Sequence, residues 1–524
     1  MPMSIRAAPG STAITRGTGR ATVAHAVANK SSTLETILFV IDVIYRPMTR
    51  DARGAVLLPL AGGPLIFCAL AFAPISTPPY AVRCGLGLLI WMASWWLARP
   101  VHLAVTGLLP LAVAALFGFV RMGDILPAYA DELIILLIGA NILTTAWARW
   151  GLDRRIALAS LAVFGSGARR QLIAWFLVST VLATLLPRVV VAATMIPIVV
   201  AMLTFIGITD LWKSRLGTSL VLAVAWGSSL GGFLTPLGGA PNLLAMKFVQ
   251  DTVTHHEFLF TTWVTRLALL TICVVLAALA YIVAVFNPEI DQGDRGRMYF
   301  LQELRALGRM TKAERWALLL FVVATVLAFT RGIYGGSLPA FTPAFAFLAL
   351  GLAAFAVRVD GEPLLTWDFA QGKMMWGLFY VFAGGNALGA VLNTTGTAQF
   401  LARPIAASAG SGQLWATIVF AVLTMAVAQI ISNVATVAIM VPIAVSALQG
   451  AGANPIPYIY IIIAASHCGF MLPSSAGSSA LAAGYGVNLR TMFVTGLGAV
   501  IVCLVVIIIV GLISMRIWPA FSTA

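Results

Sequence analysis

The sequence predicts an all-α polytopic membrane protein arranged as an inverted repeat, with about eleven transmembrane helices and two re-entrant hairpins. Three observations carry this. The chain of 524 residues is 60% hydrophobic and 10% charged, with a mean hydropathy of +0.97, far more apolar than a soluble core requires. Two twelve-residue stretches, PRVVVAATMIPI from Pro187 to Ile198 and SNVATVAIMVPI from Ser432 to Ile443, align without a gap and share the ending Met-x-Pro-Ile. Each is followed at similar distance by a proline-centred helix break: Pro197 and Pro236 are 39 positions apart (236 − 197), Pro442 and Pro473 31 (473 − 442).

Apolar runs such as 84–98, 267–286 and 500–515, with their flanks, suffice to cross a hydrocarbon core as helices, and no β-barrel alternation is present. The net charge of +14 is not concentrated in a basic soluble domain. A positive-inside distribution accounts for it, and nucleic acid is not an expected partner. Cys68, Cys84, Cys273, Cys468 and Cys503 sit apart without CxxC spacing, implying neither disulfides nor a metal site. The stretch to about Lys30, rich in Arg, Ser, Thr, Gly and Ala, reads as part of a disordered cytosolic tail (1–54) or as a transit peptide.

Taken in order, Arg46, Arg50 and Arg53 precede the first span and place the N-terminus in the cytosol; Asp124, Asp131 and Glu132 mark an outside loop, and Arg149, Arg154 and Arg155 the inside again. Segment 171–206 breaks at Pro187 and is basic at both ends, with Arg169 and Arg170 before it and Lys213 and Arg215 after. It reads as a re-entrant hairpin with its tip at Pro187-Arg188, or else as two short spans with an outside turn. The span 216–249 is interrupted by GGFLTPLGGAPN (Gly231 to Asn242), whose prolines and glycines cannot all continue a helix. Membrane half 1 (55–286) ends at a polar cytosolic connector (287–313) carrying Arg295, Arg297, Arg305, Arg309 and Lys312. Half 2 (314–524) repeats the plan in opposite orientation. Its hairpin is 414–448, its broken span 458–485 is interrupted by LPSSAGSS (Leu472 to Ser479), and its C-terminus falls outside.

Two tips and two breaks make a four-piece site, with the tips facing one another and half-helix N-termini directed at an anion. Ser432 and Asn433 offer donors to a carboxylate or oxygens to sodium; Thr235 and Asn242 border the first break, and Ser474, Ser475, Ser478 and Ser479 line the second. The plainer alternative is that these residues only cap broken helices and let backbones pack. Arg188 weighs more, because a guanidinium at membrane depth costs between about 2.5 and well over 10 kcal/mol unless paired or hydrated. Its partner is the substrate, or a protein carboxylate such as Asp131 or Glu132. His467 reads as a proton relay or as ordinary packing, and His255-His256 lack further ligands for a metal. Trp91, Trp95, Trp96, Trp147, Trp150 and Trp175 read as interfacial anchors or packing. No nucleophile–base pair, Walker loop or metal motif is present, so no enzyme and no cofactor are expected.

The motifs ISNVATVAIMVPI, GGFLTPLGGAPNLL, FMLPSSAGSSAL and the ending RWGLDRRIAL resemble the divalent anion:sodium symporter family, the dicarboxylate, citrate and sulfate carriers of the wider ion transporter superfamily, from roughly Leu57 onward. The resemblance implies a homodimer in the bilayer, with a scaffold domain and a transport domain that moves as an elevator. It also implies that Ser-Asn-Thr tips hold substrate carboxylates and two sodium ions; the ion-ligand positions fall on Gly238, Ser432, Asn433 and Ser474. This chain departs from the pattern. Its tips read Pro187-Arg188-Val189 and Ser432-Asn433-Val434, and its breaks Gly239-Ala240-Pro241-Asn242 and Ala476-Gly477-Ser478-Ser479, where the family has Thr-Pro-Pro-Asn. The expectation is therefore a secondary transporter of small organic anions in the plasma membrane, exchanging them without sodium, with Arg188 as the fixed positive charge. Sodium- or proton-coupled symport is the alternative, and an anion channel or non-transporting sensor the alternative of another class.

Overall fold

Each sequence repeat folds as a helical hairpin followed by a broken helix. In the first, Ala168–Leu185 turns at Leu186-Pro187 into Arg188–Phe205, and Arg215–Gly231 is interrupted before Ala240–Val249. In the second, Gln413–Ile430 turns at Ile431-Ser432 into Asn433–Gly450, and Ile456–Ser466 is interrupted before Gly477–Gly484. The computed structural model describes residues 53–74, 77–163, 167–286, 295–409 and 412–523; the expected N-terminal tail up to residue 52 and connector residues 287–294 lie outside them. Apart from helix, the described residues hold only a two-residue antiparallel ladder, Arg358–Val359 with Glu362–Pro363.

Local chemistry explains the interruptions. Pro236 opens a single 3-10 turn ending at Gly238, capped by Thr235, whose Oγ1 accepts from the Gly238 N–H at 3.2 Å. The chain restarts as helix at Ala240 with Pro241 in the first turn, where a missing N–H breaks no helical bond. In the second break the serines replace the backbone ladder: Ser475 Oγ donates to the carbonyls of Leu472 (2.6 Å) and Gly469 (2.9 Å), and Ser479 Oγ donates to Gly469 O at 3.1 Å.

Small residues set how closely the helices approach. A side chain at Gly227 would begin 3.1 Å from Thr180 Oγ1, and one at Gly231 would overlap the Thr180 carbonyl, so this GxxxG pair lets Arg215–Gly231 lie along Ala168–Leu185. The apolar core falls into two clusters, and Asn433–Gly450 belongs to both. Val434, Val437 and Val441 join the larger cluster; Ala435, Ile439 and Ile443 join the smaller one built around Phe67, Trp96 and Leu388. Its counterpart, Arg188–Phe205, buries only about half of its length.

Among the described residues, 7 helices are long and apolar enough to cross a membrane, or 8 if the pair Trp367–Lys373 and Trp376–Thr394, bent by 58°, is one span. The expectation of about eleven counted shorter pieces as spans. The breaks split two of these into helices of 17 and 10 residues and of 11 and 8, and Pro343–Ala356 has 14. At the N-terminus of Lys312–Phe329, Glu314 closes a capping box with Thr311 and accepts from Arg155 Nε at 2.6 Å, while the rest of that guanidinium donates to the carbonyls of Leu307 and Gly308. Burial opposes ionisation of Glu314, but the bonds from Arg155 and Thr311 outweigh it and hold the carboxyl below its ordinary range.

Candidate functional site

The two repeats cross. The helix after the first tip packs on Gly477–Gly484, the far half of the second broken span, and the helix after the second tip packs on Ala240–Val249, the far half of the first. At the first crossing, a side chain at Gly477 would begin 2.7 Å from Val189 Cγ2, so the N-termini of Arg188–Phe205 and Gly477–Gly484 abut. At the second, Val434, Ala438 and Leu244 converge on Gly385 of Trp376–Thr394, within 3.8, 3.1 and 3.5 Å of the place where its side chain would begin. Two helix N-termini, each worth about half a positive charge, therefore meet at the first crossing, while the second brings two helix bodies together against Gly385.

The polar atoms at these N-termini divide into two groups. One group is consumed by the backbone. Thr235 Oγ1 donates to the Thr184 carbonyl in a short bond, Ser475 and Ser479 donate within the second break, and Ser474 offers its carbonyl to Arg99 Nη2 at 2.9 Å. A side chain at Gly238 would run into the Ala183 carbonyl, which gives that glycine a packing role. These residues, five of the ten sequence candidates, shape the breaks.

The second group, Ser432 apart, is buried with polar atoms unpartnered. Arg188 is 8% exposed and its Nη1 has no hydrogen-bond partner; among the described residues it is in no ion pair, since Asp131 engages Lys247 (3.4 Å). Asn433 is fully buried with both Nδ2 and Oδ1 unpartnered. Asn242 donates from Nδ2 to Gly232 O (2.8 Å) and Thr235 O (2.7 Å), leaving Oδ1 without a donor, and Ser478 Oγ is also unpartnered. Ser432 caps its helix, accepting from Ala435 N at 3.3 Å. Buried polar groups are nearly always satisfied, so orphans at helix N-termini make these residues candidates for holding a polar ligand. Arg188, the Asn433 amide and the Ser478 hydroxyl suit carboxylate oxygens; the Oδ1 atoms of Asn242 and Asn433 suit a cation or an O–H.

Sequence reasoning passed over Gln429. It lies near the end of its apolar arm and it brackets the second break: Oε1 accepts from Phe470 N (3.1 Å) and Met471 N (3.3 Å), while Nε2 donates to Met425 O (3.0 Å) and Cys468 O (2.9 Å). An isolated glutamine within AVAQIISN was the available signal. Asn141 was also missed; it lines a small cavity with Pro187, Leu237 and Gly239, and its Oδ1 accepts from Met375 N at 3.3 Å.

Residues 61–521 match the family model described as the sodium:sulfate symporter transmembrane region. The chain is 25% identical over 469 residues to the sodium-dependent dicarboxylate transporter SdcS of Staphylococcus saprophyticus, covering 86% of this chain and 89% of that one. It is 25% identical over 480 residues to SdcS of Staphylococcus aureus, covering 87% and 90%. Among solved structures, the YdaH transporter of Alcanivorax borkumensis superposes with a TM-score of 0.52 at 14% identity over 84% of this chain and 100% of that one. MtrF of Neisseria gonorrhoeae gives 0.52 at 16% over 85% and 96%.

Proposed function

Because the chain belongs to the sodium:sulfate symporter transmembrane family, we propose that it carries small organic di- or tricarboxylates across the plasma membrane by sodium-independent exchange. One observation carries this reading: Arg188 is buried at a tip with Nη1 unpartnered and, among the described residues, no ion pair, at the junction of two helix N-termini. A carboxylate there is held by the guanidinium, the two N-termini and Ser478, and a second carboxylate by Asn433 beside Ser432. The cycle follows from the charge. Loaded, Arg188 is neutralised; unloaded, it would cross a low-dielectric interior uncompensated, so return without an anion is suppressed. In this reading two copies of the chain form a homodimeric carrier, and in each copy a site-bearing part moves past a fixed part, with the N-terminus in the cytosol.

Proteoliposomes loaded with unlabelled succinate and diluted into labelled succinate, with choline replacing sodium, test it. Uptake that persists without sodium and vanishes without internal anion is the expected result; complete loss without sodium refutes it. The relatives named as sodium-dependent dicarboxylate transporters favour a second reading, symport at the second tip, with Asn433 Oδ1 as an ion ligand. Sodium-dependent currents distinguish it.

A further inference from the structure

We propose that His467 selects anions that carry a hydroxyl beside their carboxylates, an inference that rests on the anion-carrier reading above. The ring is fully buried at the end of Ile456–Ser466, where the second break begins. Its Nδ1 lies 3.0 Å from the Ile463 carbonyl, which can only accept, so Nδ1 carries the hydrogen and Nε2 presents a lone pair. The ring is held in place: Ser229 Oγ donates to the His467 carbonyl at 2.7 Å, and Phe233 packs against the imidazole with centroids 5.7 Å apart. Nε2 is buried and has no partner.

The surroundings say which ligand group fits. A side chain at Gly239 would begin 3.1 Å from Nε2, so the ring nitrogen faces the first break at a position kept bare. Gly239 also lines the small cavity that reaches Pro187 at the first tip. The other unpartnered groups near the two tips include the donors Arg188 Nη1, Asn433 Nδ2 and Ser478 Oγ, which match carboxylate oxygens. A carboxylate has nothing to give Nε2, and acceptor against acceptor is repulsive. A hydroxyl between the carboxylates supplies the missing donor. A site that hydrogen-bonds a substrate hydroxyl discriminates strongly against the analogue lacking it, because the buried acceptor is then left unpaired.

Malate and succinate differ by that hydroxyl. Binding of each to the purified full-length chain at neutral pH is measured by thermal stabilisation over a concentration series, for wild type, His467→Gln and His467→Leu. Wild type is expected to bind malate at least about tenfold more tightly than succinate. His467→Gln, which keeps an acceptor oxygen, retains part of that ratio, and His467→Leu brings it to about one. Equal affinities in wild type, or a preference that persists in His467→Leu, overturn the proposal. Should the leucine variant fail to fold, the wild-type ratio and the glutamine variant decide. Equal binding of both di-acids removes the role of His467 and leaves the carrier reading standing, whereas binding of neither, together with no exchange of either, removes both.

Discussion

Replacing Arg188 with glutamine should move stability and affinity in opposite directions. The guanidinium is 8% exposed, in no ion pair among the described residues, and has a buried unpartnered Nη1, so its burial is not compensated by the protein. Removing it relieves a penalty of at least about 2.5 kcal/mol, and the unliganded melting temperature should rise or hold. The bound anion loses its counter-charge. A carboxylate about 4 Å away at an effective dielectric near 20 interacts by about 4 kcal/mol. A neutral hydrogen bond from glutamine recovers about 1 kcal/mol, so affinity should fall by about two orders of magnitude. Thermal shift of purified Arg188→Gln with and without dicarboxylate reads both quantities at once. Unchanged affinity, or a loss of affinity accompanied by an equal loss of unliganded stability, would refute the reasoning, because the first denies contact with the anion and the second makes Arg188 a structural cation.

Three other outcomes follow from the geometry. Gln429→Leu orphans the N–H groups of Phe470 and Met471 and the Cys468 carbonyl, at about 1–3 kcal/mol each, so melting should fall sharply and anion affinity with it; unaffected exchange would show the bracket to be dispensable. Gly477→Ala pushes a methyl against Val189 and should suppress exchange, and adding Val189→Ala should restore it; failure of the double variant to recover argues against a tight junction of tip and break. Arg155→Met leaves the Glu314 carboxylate buried without its main partner, costing about 3 kcal/mol at neutral pH. Because the folded Glu314 carboxyl is held below its ordinary range, this stabilisation is present above the unfolded value and lost as pH falls through the folded one, so wild type and variant should converge in acid. A gap independent of pH would contradict the assignment.

The helical architecture was legible because its signals are dense: two matched Met-x-Pro-Ile stretches, two proline-centred breaks and long apolar runs. The number of spans is less legible, since hydropathy cannot tell an apolar helix of 14 residues such as Pro343–Ala356 from a full crossing. At the site, residue type suggested Ser475, Ser479 and Thr235 as readily as Asn433, but a hydroxyl's use depends on which carbonyl is beside it. Those three spend their hydrogens on Gly469, Leu472 and Thr184. The crossed pairing of repeats was likewise hidden, because it joins Val189 to Gly477 across most of the chain. Gln429 escaped because its four bonds all go to backbone atoms, which leave no trace in side-chain spacing.

That crossed pairing also sets a timetable for biosynthesis. Arg188 and Gly477 are 289 positions apart (477 − 188), so at about 5–20 residues per second the ribosome needs roughly 15–60 s to deliver the second after the first. Throughout that interval the nascent first hairpin holds its arginine without the helix end that abuts it in the finished fold. Until then the close packing of Gly227 and Gly231 on the first hairpin's apolar arm is the contact available to keep it in place in the bilayer.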